Sequence, residues 1–123
     1  MVDWRSWCTA GDIAVDGDSL VVTFSQGRRH RVAIEQESDC LIIRAVVSRH
    51  LGNDLASDIV RRAALRNRTS LLVGCRLHPL FGLVVQALAP TIGLAADEFL
   101  ATVRAVAAEA DRLEVVLTAN DVE

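Results

Sequence analysis

Lysine and tyrosine are absent from this chain of 123 residues, and all 13 basic residues are arginine against 16 acidic ones. The resulting net charge of −3 argues against a nucleic-acid binder, whose domain is usually basic. The excess of Arg, Ala, Val and Asp at the expense of Lys fits a GC-rich bacterial genome. Cysteine is scarce: Cys8, Cys40 and Cys75 are an odd number, far apart, with no CxxC pair. Free, buried thiols are therefore expected in place of a disulfide framework. His30, His50 and His78 are too few and too dispersed for a metal centre, so neither a metal nor a cofactor is expected. Gly11, Gly17, Gly27, Gly52, Gly74, Gly82 and Gly93 show neither dinucleotide nor P-loop spacing. No apolar run approaches the roughly 20 residues needed to cross a bilayer. The start, Met1-Val2-Asp3-Trp4-Arg5, lacks the basic opening and apolar core of a secretory signal. The expected compartment is the cytoplasm, away from any membrane.

What the chain does have is apolar residues, at 51% of the sequence with a mean hydropathy of +0.30. A fold of this size buries roughly two thirds of the surface of its unfolded chain, enough for one core without staples. One domain over 1–123 is expected, with 1–10 as a short N-terminal segment and 119–123 as a polar tail.

Residues 3–10, DWRSWCTA, have room for one turn of helix, with Asp3 placed to cap Trp4–Trp7. Both tryptophans lie here, either closing one end of the core or serving as anchors for a partner, since Trp is enriched at binding hot spots. From Gly11 the pattern turns to short β-type runs. Asp16-Gly17 signals a tight hairpin of the type I′ kind. Ser19–Ser25 and His30–Gln36 alternate apolar and polar residues, as a half-buried antiparallel meander does. Cys40–Val47 is apolar throughout except for Arg44, which predicts a central strand or one covered on both faces. A first helix is signalled by Asn53 as N-cap and by Leu55, Ala56, Ile59, Val60 and Ala63 on one side, over Asn53–Arg66. The Arg61–Arg68 cluster beside it reads as a solvated face. Thr69–Leu77 and Leu83–Ala89, joined by His78-Pro79-Leu80-Phe81-Gly82, predict a hairpin with His78 as a turn residue.

The last element is a long helix over Ala95–Leu117. Phe99, Val103, Val106, Ala110, Leu113 and Leu117 recur three and four apart and form one apolar face, which should cover the sheet. Ala101, Ala105 and Ala108 lie on another side. That small-residue side is expected to meet a second helix, either Asn53–Arg66 or that of a dimer mate. The fold class that follows is α+β, an antiparallel sheet in β-β-β-β-α-β-β-α order covered by two helices.

No catalytic residues are predicted. A hydrolase needs a nucleophile beside a base and an oriented third group, and Cys8, Cys40, Cys75, His30, His50 and His78 sit in no nucleophile motif. Cys40 and Cys75 fall inside predicted strands, where a small buried thiol is the ordinary case. Arg28-Arg29-His30-Arg31 is the one dense basic run. It lies at a hairpin and reads first as a guarded strand edge, and second as a weak nucleic-acid contact.

The element order, together with Leu65-Arg66-Asn67-Arg68-Thr69-Ser70-Leu71-Leu72-Val73-Gly74 and Val106-Ala107-Ala108-Glu109-Ala110-Asp111-Arg112-Leu113-Glu114, resembles the YbjN family, which shares the type III secretion chaperone-like fold. The resemblance is best over Asn53–Thr118 and rests on element order over Gly11–Val47. It implies a non-enzymatic protein- or peptide-binding module, chaperone-like or an adaptor, whose partner is another polypeptide and which forms a homodimer as the secretion chaperones often do. Trp4, Trp7 and Phe81 are the candidate partner contacts. The residues alone leave a second reading, a small enzyme or ligand-binding domain with its pocket between the sheet and the last helix, and a third, the weak nucleic-acid binder through Arg28, Arg29 and Arg31.

Overall fold

The computed structural model describes residues 2–48 and 73–121. Six strands form a single antiparallel sheet: β1 (Ile13–Asp16), β2 (Ser19–Thr23), β3 (Arg29–Glu37), β4 (Cys40–Ser48), β5 (Gly74–His78) and β6 (Gly82–Pro90). A helix, α1 (Ala96–Asp121), follows them. Laterally the order is β1-β2-β3-β4-β6-β5, so β6 enters beside β4 and pushes β5 to the edge. The expected helix over Asn53–Arg66, the Arg61–Arg68 cluster, His50 and the start of Thr69–Leu77 lie outside the described residues. The α+β class, the meander and the final hairpin match expectation, and Cys40–Ser48 is central, paired with β3 and β6.

Local chemistry explains the turns. Asp16 pairs with Ser19, so the two-residue connection is Gly17-Asp18, one position later than the Asp16-Gly17 expected. Of these two, Gly17 alone has positive φ, at 63°, the pattern of a II′ turn with glycine first and not of I′. In the last hairpin, His78 pairs with Gly82, whose φ is 79°. His78 Nδ1 accepts hydrogen bonds from the amides of Leu80 at 3.0 Å and Phe81 at 3.3 Å. The imidazole thus satisfies the turn that Pro79 begins.

Strand periodicity sorts side chains onto two faces. Leu20 and Val22 of β2, His30, Val32 and Ile34 of β3, Leu41, Ile43 and Ala45 of β4, and Leu83, Val85 and Ala87 of β6 are buried together. The helix closes this face over β3, β4 and β6. Phe99, Val103, Val106, Ala110, Leu113 and Leu117 are all buried, as their spacing predicts, and Ala107 joins them fully buried. Each large side chain among them gains about 1.5–3 kcal/mol on burial. The short side chain of Ala107 lets the backbone of α1 approach the sheet. Acidic Asp97 and Glu98 occupy the first turn of α1, where the helix dipole favours negative charge.

At one end, Trp4–Trp7 forms a single 3-10 turn without a side-chain cap from Asp3. Its rings close on Phe99, with centroids 6.1 Å away for Trp4 and 5.4 Å for Trp7. Exposed ion pairs tie the periphery together: Arg104 holds both oxygens of Asp12 at 2.9 and 3.0 Å, linking α1 to the entry of β1. Arg28 reaches Asp111 at 2.7 Å. No helix among the described residues is long and apolar enough to cross a membrane.

Candidate functional site

The face of the sheet away from α1 carries the opposite alternation. Arg29, Arg31 and Ala33 of β3, Arg44 and Val46 of β4 and Ser19 of β2 point that way, and the register places Ala33 beside both Arg44 and Ser19. With Phe81 from the last hairpin they line a groove of about 440 Å³, which His30 and Glu114 reach from the helix side. Ala33 and Val46 supply an apolar floor.

The guanidinium of Arg44 is the most enclosed charge here, its side chain 13% exposed. Its polar contacts are long: Gln86 Oε1 at 3.3 Å and Glu35 Oε2 at 3.5 Å. Phe81 covers one side, with the guanidinium carbon 5.1 Å from the ring centroid. His78 stacks on the same ring at 4.5 Å. Desolvation and the nearby positive charges of Arg44 and Arg76 push the His78 pKa below its usual value, which suits a ring whose Nδ1 must stay unprotonated to accept two amides.

His30 is buried on the helix side, with Nε2 3.3 Å from Glu114 Oε1, outside hydrogen-bond geometry. Its Nδ1 lies 3.3 Å from the Arg31 carbonyl, to which the Nδ1–H tautomer donates. A histidine beside a carboxylate invites a triad reading. Ser19 does not complete one: the cross-strand partner of His30 is Val22, three residues along β2 from Ser19. At 3.3–3.4 Å per residue that is about 10 Å, with the two side chains on opposite faces.

The cysteines stand elsewhere and are free, Cys75 buried and the others half-buried. Burial, reinforced by the negative charge of Glu109, pushes the Cys75 thiol up to about 11. Burial also raises Cys8, whose thiol donates to the Trp4 carbonyl at 3.4 Å. Neither is poised as a thiolate nucleophile. Among the described residues no group of three or more His, Cys, Asp or Glu is placed to hold a metal ion.

The sequence-derived contact residues separate. Trp4 is only 5% exposed and belongs to the core, because Phe99 gives its ring an apolar wall. Trp7 is partly exposed, and Phe81 lines the groove. Ala101, Ala105 and Ala108 are exposed on α1. Within the basic run, Arg28 is held by Asp111 and Arg31 by Asp16 at 2.8 Å, so two of the arginines of the nucleic-acid reading already face carboxylates.

The solved structures that match this arrangement include two of stated identity. YbjN of E. coli, a candidate transcription regulator, superposes with a TM-score of 0.62 at 18% identity over 95% of this chain and 88% of that one. This is the YbjN and type III secretion chaperone-like fold. The HopA1-SchA chaperone-effector complex matches the same fold with a TM-score of 0.53 at 13% identity, over 87% of this chain and 83% of that one. No protein-family model matches the chain, and no curated protein matches it in sequence. The fold is therefore shared where sequence words are not, as expected when element order and core periodicity carry the architecture.

Sequence reasoning missed Arg44 and Glu114 as groove residues. Their signals were present: a lone charge inside the apolar run Cys40–Val47 has to point to a polar place, and Arg29 and Arg31, two apart in a strand, must share a face.

Proposed function

We propose that this chain is a non-enzymatic polypeptide-binding module, chaperone-like or an adaptor, acting in the cytoplasm. The observation that carries the proposal is the division of the sheet into one face sealed by α1 and another bearing an open groove with Phe81 at its side. The fold shared with a chaperone of a chaperone-effector complex supports the same reading. Trp4, Trp7 and Phe81 are the contacts assigned to a partner, Trp4 being the one mostly covered by Phe99. Ala101, Ala105 and Ala108 are assigned to a helix–helix contact, with the Asn53–Arg66 segment or with the same face of a second copy in a homodimer.

Co-expression with the proteins encoded beside this one tests the reading. A stable complex that survives a high-salt wash and is lost on Phe81→Ser supports it. Failure of every neighbour to co-purify, with a sharp monomer throughout, removes it.

A second reading, a small-ligand binder, is favoured by the His30–Glu114 pair at one end of a groove whose size suits a metabolite. A metabolite screen by thermal shift separates the two: saturable stabilisation by one small molecule, abolished by His30→Ala, favours the ligand binder.

A further inference from the structure

We infer that the groove takes an extended, acidic segment of the partner polypeptide, with alternate Asp or Glu side chains facing Arg29, Arg31 and Arg44 and an apolar side chain against Phe81. The inference rests on the polypeptide-binding reading and names the chemistry of the segment bound. Among the described lining residues three arginines stand with one carboxylate, that of Glu114, and the carboxylates that face Arg31 and Arg44, those of Asp16 and Glu35, are themselves 63% and 61% exposed at the rim. Arg44 has five N–H donors and, among the described residues, meets acceptors only at 3.3 and 3.5 Å, while its side chain is 13% exposed. A guanidinium withdrawn this far from water with donors to spare gains most from a carboxylate that binds it bidentately. Among the described residues Arg29 makes no ion pair, and Arg31 has only Asp16, both side chains more than half exposed. Such a pair is worth about 0–1 kcal/mol and exchanges readily for an incoming carboxylate.

Spacing points to an extended chain over a lone anion. Arg29 and Arg31 are two apart on β3, so their side chains emerge about 7 Å from each other, and an extended peptide repeats its own side chains at that period. Phe81, with its ring on the Arg44 guanidinium, adds the apolar contact that a simple counter-ion would not use. A nucleic-acid strand would use the same charges, but Arg28, the next arginine, is turned to Asp111. Among its described lining residues the groove also offers a single Phe, Tyr or Trp, where single-strand binders stack successive bases.

Fluorescence anisotropy decides the matter with three labelled probes: a short peptide with glutamate at alternate positions and one phenylalanine, the same peptide with glutamine for glutamate, and a single-stranded oligonucleotide of similar length. The glutamate peptide is expected to bind roughly tenfold tighter than the glutamine one, a difference of about 1.4 kcal/mol. Arg29→Ser and Arg44→Gln should each remove most of that preference with the circular dichroism unchanged. Because Arg29 is exposed, its variant keeps the test sound even if Arg44→Gln weakens folding. Equal binding of the two peptides, a preference that survives both substitutions, or tighter binding of the oligonucleotide would each overturn the inference. If the Arg29→Ser, Arg44→Gln double variant still co-purifies with a native partner, polypeptide binding stands and only the acidic-segment assignment falls. If wild type retains no partner and no peptide, both fall.

Discussion

Strand β3 puts His30, Val32 and Ile34 under the helix and Arg29, Arg31 and Ala33 on the far side, and the two sets answer to different demands. Under α1 every position is filled and its shape matters. On the far side charge is gathered around a groove, and the pairs that hold it are long or exposed. Both faces carry buried side chains, since Val84, which pairs with Val46 on the far side, is fully buried, but the arginines around the groove are held by weaker contacts than the packing under α1. Substitutions on the two faces should therefore differ in kind as well as in size.

The largest effect is expected at the centre of the sealed face. Phe99→Ala removes a fully buried ring that also seats Trp4 and Trp7, and should cost about 3–5 kcal/mol in urea unfolding. A drop below 1 kcal/mol would mean the tryptophan end is not part of the core. Ala107→Leu tests the close approach of α1 by adding volume where none is free, with an expected loss of about 1–3 kcal/mol. If it is neutral, the helix sits less tightly than described.

Smaller again is the pair at the rim. Arg104→Ala should destabilise by about 0.5 kcal/mol, since both partners are partly exposed. The hydrogen bond from Arg104 holds the Asp12 carboxyl below its usual range. Its contribution is therefore complete above the ordinary carboxylate pKa and is lost as pH falls through the lowered folded value. In the variant, an NMR titration should show Asp12 returning to the usual range.

His78 moves in the same sense for another reason. Its pKa is lowered, so the neutral ring that accepts the Leu80 and Phe81 amides is fully favoured above the ordinary imidazole value of about 6.5. As pH falls below that value toward the folded pKa the advantage declines, and the protection of the Leu80 and Phe81 amides, relative to the intrinsic exchange rate at each pH, should fall. Unchanged protection between neutral and mildly acidic pH would separate the ring from the turn. At the far end of the scale, Arg29→Ser should leave stability within about 0.5 kcal/mol of wild type. A larger loss would mean that the groove side also holds the fold together.

Much of the sealed face is legible in the order of amino acids. The helical stripe from Phe99 to Leu117 needs only the 3.6-residue period, and each of its six expected members is buried. Alternation in Ser19–Thr23 and Arg29–Glu37 locates the strands for the same local reason. Three features depend on longer range. The shift of the first turn to Gly17-Asp18 is set by the pairing of Asp16 with Ser19, which propensity does not encode. Insertion of β6 beside β4 is a lateral choice among strands of similar character. The groove joins Arg29 and Arg31 to Arg44 through the Ala33–Arg44 register, so three separately unremarkable arginines become one site only after pairing. Trp4 is legible as aromatic and terminal, and its place beneath the surface is decided by Phe99, 95 positions later.

The lateral order also bears on how the chain is made. Strands β1 to β4 lie in series, and each can zip onto the one before as it leaves the ribosome, because domains assemble from the N-terminal side as synthesis proceeds. The neighbour of β4 on its other edge, however, is β6, and the cover over Leu20, Val32 and Ile43 is a helix translated later still. Until that helix emerges, the nascent meander carries a greasy face and, before β6 arrives, a central strand with one open edge. For that interval a protein with a chaperone-like fold is itself in the state of a chaperone's client.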